Sequence, residues 1–386
     1  MSLLGKLTAR QFLRGHWQKK PLLIRQALPG FVCPLSPEEL AGLACEDGVE
    51  SRLVTTAQGQ ACPWQLRHGP FTDTDFTSLP DQDWTLLVQD CQRYDEQVAA
   101  LLQHFDFIPQ WRLDDIMISY ATPGGSVGPH IDQYDVFLIQ GSGERRWQID
   151  YQAQADDNLM GDCDMDILRE FNADETWVLY PGDMLYLPPR LAHYGVALND
   201  CMTLSVGFRA PSHQEMLAAY LETLLQQQHE QQRFTDPHRG LPEHPAEIEA
   251  EDIEQFAELL QQQLSDRKML ADVFGRLVTE AKHVEAFTPS HRDRGDILLH
   301  GITLDPDVRL AFSREHYYHN RLFANGVSLE VSPPAARLVP QLCADGRLDA
   351  DAYADIVDTD EFGQLVDFLM EHGLLAHEAV DATNPE

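Results

Sequence analysis

Apolar and polar positions alternate in short runs through the first half of the chain, and the second half switches to the three-and-four spacing of amphipathic helices. Apolar runs bounded by Gly, Pro or Asn predict strands near residues 22–25, short strands from 51 to about 87, and others at 115–120, 136–140, 145–149, 176–180, 183–187 and 202–208. A short helix over 11–20 is expected to stop at Pro21. Ser36, Pro37 and Glu39 stand as cap, first helical residue and capping partner of a second helix, and 96–105 predicts a third. Residues 176–180, Pro181-Gly182 and 183–189 predict a hairpin leading to His193. Many short strands with Gly/Pro turns favour a jelly-roll barrel, which hides its edges and leaves a mouth for a site.

Beyond Pro211 the pattern changes. Ser212 and Glu215 form a capping box, and Met216, Leu217, Tyr220, Leu221, Leu224 and Leu225 share one helical face. A polar stretch over 226–251 reads as a linker whose His229, His238 and His244 lack ligand spacing. Two more helices follow, one with Ile253, Phe256, Leu260 and Leu264, the next with Met269, Leu270, Val273, Phe274, Leu277 and Val278. Such stripes are ordinary core or a self-association face. From about 286 a separate α+β unit is expected: strands at 308–312 and 321–331, the latter turned at Asn325-Gly326, and helices around 335–342 and 362–371 with Gly373 as cap. His316 and His319 lack partners that would make them metal ligands.

The chain has 386 residues, enough for two or three domains, and a formal net charge of −34. Such a surface repels nucleic acid phosphates and anionic membranes and attracts basic proteins, although acidity also serves plain solubility. Seven scattered cysteines without a Cys-x-x-Cys pair fit a reducing cytosol, and no secretory h-region or 18-residue apolar run is present.

Candidate chemistry centres on His130-Ile131-Asp132. In a strand these two polar side chains share a face, and His193 is the best third ligand from elsewhere in the chain. Two imidazoles and one carboxylate suit non-haem Fe(II) and leave positions open for reaction. Gly and Pro in the preceding 123–129 predict a loop that permits close backbone approach.

His130-Ile131-Asp132 together with Gly182-x5-Pro188-x4-His193 resembles the two halves of the cupin and JmjC-type 2-oxoglutarate oxygenase signature. His16-Trp17-Gln18-Lys19-Lys20-Pro21 and the run from Gly128 to Phe137 resemble the ribosomal oxygenases, and within them the bacterial enzymes that 3-hydroxylate an arginine of the sixteenth large-subunit ribosomal protein. Arg190 departs from the general pattern, which has glycine there. The resemblance implies a mainly β fold with α: a double-stranded β-helix JmjC domain over 1–210, a helical dimerisation region with linker over 211–285, and a winged-helix-like α+β module over 286–386. It implies Fe(II) on His130, Asp132 and His193, and 2-oxoglutarate as cosubstrate. Its distal carboxylate is expected on Arg145, with Ser119 adding a hydroxyl; Arg145 as a solvated hairpin charge is the alternative, since either it or Arg146 must face inward. Asp135 is a candidate to orient a cationic substrate. The expected partners are a basic ribosomal protein and a second copy of the chain, with no direct nucleic acid and no membrane, in the cytoplasm. Hydroxylation or demethylation of another side chain, and a non-enzymatic metal cupin, stay open.

Overall fold

Thr8 and Ser36 each accept a hydrogen bond from the backbone N–H three residues on, while Gln11 and Glu39 reach back to the cap, so both short N-terminal helices begin on reciprocal capping boxes. In the computed structural model these are α1 (Ala9–Gly15) and α2 (Pro37–Leu43). Residues 3–57, 62–152, 158–209, 211–227, 233–241, 243–282, 294–315 and 319–376 are described. The chain divides into two units, Met1–Ala210 and Pro211–Glu386.

The first unit is built on β1 (Leu22–Ile24), β2 (Ser51–Thr56), β3 (Trp64–His68), β4 (Trp84–Val88), β5 (Leu113–Ala121), β6 (Asp135–Ser142), β7 (Arg145–Asp150), β8 (Glu175–Leu179), β9 (Met184–Leu187), β10 (Ala192–Ala197) and β11 (Cys201–Phe208), with short helices α3 (Asp73–Thr77) and α4 (Glu96–Ala100) between them. Among the described residues an antiparallel sheet of order β1-β9-β6-β11-β5-β4-β2-β3 faces a smaller one of order β10-β7-β8. Strand β6 shows why both faces of the large sheet matter. Val136 and Leu138 pack with Trp147, Ile149 and Leu179 in one core, while Phe137 and Ile139 point the other way into a second core with Phe12, Phe105 and Tyr186. This is the jelly-roll architecture expected.

Three sequence expectations are corrected. Residues 176–187 do not form a hairpin: β8 pairs with β7, and β9 pairs with β6 and β1, so the Pro181-Gly182 turn carries the chain from one sheet to the other. The α1 helix ends at Gly15, well before Pro21, because the His16 and Trp17 N–H groups both turn back to the Phe12 carbonyl. Cys62 and Cys163, far apart in sequence, are joined in a disulfide, because the stretch just before β3 and the segment after residue 157 lie side by side.

The His16–Pro21 motif has a structural job. Gln18, with a left-handed φ of 56°, donates its backbone N–H to Tyr186 Oη (2.7 Å) and its Nε2 to Asp135 (2.9 Å). The Tyr186 hydroxyl donates to Asp135 at 2.5 Å, Arg112 lies 3.5 Å from the same carboxylate, and its guanidinium sits over the Trp17 ring at 5.4 Å. Burial pushes the Asp135 carboxyl upward, against the pull of its Tyr186 and Gln18 donors and the Arg112 charge.

The second unit holds α5 (His213–Gln227), α6 (Ala250–Gln263), α7 (Arg267–Val278), α8 (Arg294–His300), β12 (Ile302–Thr303), β13 (Leu310–Glu315), β14 (His319–Ala324), β15 (Val327–Val331), α9 (Val339–Asp345), β16 (Arg347–Leu348) and α10 (Asp360–Glu371). The β14–β15 turn uses positive φ at Asn325 and Gly326, as a tight hairpin requires. Helix α7 lies directly on this hairpin: Asp272 accepts from Arg321 (3.1 Å) and Ser328 (2.6 Å), and Gly275 leaves room for the Phe323 ring. Tyr220, Met269 and Val273 join α5 to α7, whereas Leu217, Leu221 and Leu225 on α5 and Ile253, Phe256 and Leu260 on α6 are exposed. No helix of the described residues is long and apolar enough to cross a membrane. His229 and His316 lie outside the described residues.

Asp135→Ala removes the acceptor shared by Gln18, Tyr186 and Arg112 and leaves a buried cation unpaired. The expected loss is about 3–5 kcal/mol in the first unit, read by urea unfolding followed through tryptophan fluorescence; a loss below about 1 kcal/mol would show that the cluster is not the latch described.

Candidate metal centre

His130 and His193 are drawn together by their own main chain. They form an isolated antiparallel bridge in which each N–H donates to the other's carbonyl at 3.0 Å. His193 is the second residue of β10, and His130 lies in the loop between β5 and β6, held by its bridge and not by a strand, contrary to the strand expected for 130–132. Asp132 is positioned instead by its carbonyl, which accepts from the Arg190 N–H at 2.7 Å. Arg190 has a φ of 64°, a left-handed conformation that explains why glycine is usual at this point of the pattern.

Each imidazole has its Nδ1–H donating to a nearby carbonyl, Gly128 for His130 and Leu191 for His193, both at 2.9 Å. A carbonyl can only accept, so Nδ1 carries a proton in each ring and Nε2 is the nitrogen turned toward the site. These nitrogens lie 3.9 Å (His130) and 3.6 Å (His193) from the Asp132 carboxylate oxygens, and the two rings are 4.2 Å apart. Burial, reinforced by His130, pushes His193 down to about 4, so it is neutral at physiological pH. Two neutral nitrogens and one carboxylate converging within 4.8 Å form a donor set fit for a divalent cation, and no other such group occurs among the described residues.

The three donors open into a cavity of about 520 Å3 that Arg145 and Ser119 also line. Arg145 is buried, at 6% exposure, and its Nη1 donates to Ser119 Oγ at 3.3 Å. Its Nε and Nη2 are buried without a hydrogen-bond partner among the described residues. Of the adjacent pair, then, Arg145 faces the cavity. A buried guanidinium with two unused donors is costly unless an anion completes it. The indole N–H of Trp147, on the same strand, is likewise unpaired, and its ring stands 5.9 Å from His193.

Asp135 is not at the mouth. It is fully buried in the latch with Gln18 and Tyr186, because it begins β6 on the face opposite Val136. The cavity's carboxylates, besides Asp132, are Asp115, Asp164 and Asp166. Reading from sequence missed them along with Met117 and Tyr134. For Asp115, Met117 and Ser119 a signal existed: alternate residues of β5 share a face, so one of them in the cavity implies all three. For Asp164 and Asp166 no such periodicity exists; they lie on the irregular segment tied down by Leu168 N–H to the Pro129 carbonyl (2.8 Å) and by the Cys62–Cys163 disulfide.

Comparison with known proteins agrees with this architecture. Residues 100–216 match the JmjC domain family and residues 259–376 the ROXA-like winged helix. The chain is 34% identical over 370 residues to the ribosomal protein uL16 3-hydroxylase of Escherichia coli, spanning 94% of this chain and 95% of that one. It is 44% identical over 209 residues to a probable ribosomal oxygenase of Haemophilus influenzae, about half of each chain. The solved structure of the Escherichia coli ribosomal oxygenase YcfD in complex with cobalt and 2-oxoglutarate superposes with a TM-score of 0.83 at 32% identity, over 97% of this chain and 99% of that one. A mostly β JmjC fold, a C-terminal winged helix and near full-length similarity lead to one conclusion: the chain belongs to the JmjC-domain ribosomal oxygenases.

Proposed function

We propose that this protein is an Fe(II)- and 2-oxoglutarate-dependent hydroxylase acting on an arginine side chain of a large-subunit ribosomal protein. The observation that carries the reading is the convergence of His130, Asp132 and His193 in one cavity with the unsatisfied guanidinium of Arg145. The similarity to the uL16 3-hydroxylase supports the substrate class.

When bound, Fe(II) would supply, with 2-oxoglutarate and O2 as cosubstrates, insertion of an oxygen atom from O2 into an unactivated C–H bond, the second oxygen atom entering succinate as CO2 is lost. His130 and His193 hold the metal through Nε2, their Nδ1–H bonds fixing tautomer and ring plane, and Asp132 offsets part of its charge. Arg145 and Ser119 take the distal carboxylate of 2-oxoglutarate at the bottom of the cavity. Asp115, Asp164 and Asp166 draw a cationic side chain inward, while Met117, Tyr134 and Ile167 exclude water around its aliphatic stem. A metal-binding scaffold without turnover has no use for a buried, half-satisfied arginine, so Arg145 weighs against that alternative.

The net charge of −34 favours a free basic protein over an RNA-covered one, which supports a cytoplasmic encounter before the substrate is buried in the ribosome. The exposed apolar rows of α5 and α6 support residues 211–285 as the self-association region of a homodimer. The winged-helix-like module, which the family match carries back to residue 259, has Asp349, Asp351, Asp355, Asp358 and Asp360, and these disfavour phosphate binding.

Alanine at His130, Asp132 or His193 is expected to abolish iron-dependent succinate formation while far-UV circular dichroism stays unchanged; activity retained in any of them moves that ligand elsewhere. Arg145→Ala raises the 2-oxoglutarate requirement by on the order of 10²–10³-fold, from the loss of one partner of a buried charge pair, and leaves metal affinity near normal in titrations without cosubstrate. Mass spectrometry of the free ribosomal protein after incubation with enzyme, Fe(II) and 2-oxoglutarate gains about 16 Da, one oxygen atom, on an arginine. A gain only in assembled subunits, a gain on another residue type, or loss of a methyl group would each overturn the substrate reading.

A further inference from the structure

The cavity has a second polar wall that the chemistry above does not use. Strand β2 contributes Arg52, β4 contributes Thr85, and Gln89 follows directly on β4, all three lining the same cavity as the histidines. Register places Arg52 between His68 of β3 and Leu87 of β4, and Leu87 in turn opposite Ser119 of β5. Arg52 is therefore two strands from Ser119, about 10 Å at the ordinary strand spacing. Its guanidinium turns to Met117, and not to the Ser119 hydroxyl that Arg145 holds.

Each of these side chains is short of a partner. Arg52 Nε, Thr85 Oγ1 and Gln89 Oε1 are buried with no hydrogen bond among the described residues, and Thr85 is only 1% exposed. Arg52 Nη2 rests on the sulfur of Met117 at 3.7 Å, a weak acceptor. The Gln89 backbone N–H is satisfied by the Glu50 carbonyl, so the deficit lies in side chains alone. One unpaired buried polar atom costs about 1–3 kcal/mol. Three on a single cavity wall mark a surface completed by a ligand.

Charge selects what that ligand offers. Arg52 repels the cationic tip of a substrate side chain, which the carboxylates Asp115, Asp164 and Asp166 are placed to attract. The wall instead presents a strong donor, the guanidinium, beside an acceptor, the Gln89 carbonyl oxygen. A peptide unit offers the complement, one C=O and one N–H. We infer that Arg52 and Gln89 form a main-chain clamp that grips the substrate polypeptide beside its target residue and so decides which residue along the segment reaches the metal. Both act as positioning residues, and Thr85 lines the floor beneath them. The inference rests on the polypeptide substrate proposed above and adds the element that sets its register.

The test uses the full-length enzyme with Fe(II), 2-oxoglutarate and a synthetic peptide of the ribosomal protein spanning the target arginine. Arg52→Gln and Gln89→Leu are each expected to raise the peptide KM about tenfold while the KM for 2-oxoglutarate moves less than twofold. A parallel rise in both KM values would make Arg52 a cosubstrate anchor and overturn the clamp; so would an unmoved peptide KM. A second arm leaves the wild-type protein intact, so that misfolding of a variant cannot blur the answer. Peptides N-methylated at one backbone unit at a time should include one that binds wild type about tenfold more weakly but costs Gln89→Leu nothing further. A flat N-methylation profile overturns the clamp alone. No turnover of the unmodified peptide by wild type overturns the substrate reading and the clamp with it.

Discussion

Two backbone hydrogen bonds, exchanged between His130 and His193, are the constraint on which the site depends. They join the loop before β6 to the start of β10, and so join the two sheets beside the cavity. Because the bridge is main chain to main chain, it spends no side-chain atom. Both imidazoles stay free to bond carbonyls through Nδ1 and to present Nε2 together. The rest of the barrel can be understood as what keeps these two peptide units opposed: the double-faced burial of β6, the left-handed Arg190 that swings the chain back to Asp132, and the Gln18–Asp135–Tyr186 latch behind the sheet.

The division of labour between charges follows from burial. Asp135 is fully buried and its carboxylate is shared by Tyr186, Gln18 and the half-buried Arg112, so it holds structure. Arg145 is also buried, but it lines the cavity with two donors open, and that difference separates a structural group from a binding one. The same distinction separates Asp135 from Asp115. Both are carboxylates near the metal ligands in sequence, and only Asp115 faces the cavity.

Local signals were legible in the sequence wherever one residue type has one physical use. The capping boxes at Ser36 and Ser212, the Asn325-Gly326 turn, and the strand runs belong to this class, whereas the equivalent box at Thr8 emerged only in the structure. The barrel and the His-x-Asp half-site were legible for the same reason. What was hidden depends on which distant elements become neighbours. The Pro181-Gly182 turn has the composition of a hairpin, yet β8 and β9 enter different sheets because each finds a longer partner elsewhere. Cys62 and Cys163 carry no spacing that announces a pair. Asp135 was misjudged because adjacency to the motif says nothing about which face of β6 it takes.

Gly128, just before the first histidine of the site, has a φ of +81°, and a Cβ added there would come within 2.8 Å of Ile167 and 3.1 Å of the Trp64 ring. Ile167 lines the cavity, and the next residue, Leu168, is tied by its N–H to the Pro129 carbonyl. The missing β-carbon is therefore what lets this segment lie close against the loop that carries His130. Any side chain at this position would have to displace Ile167 or Trp64 and would loosen the hold of the segment that carries Asp164 and Asp166. The glycine acts as a gauge, since its empty place sets how closely those two loops approach.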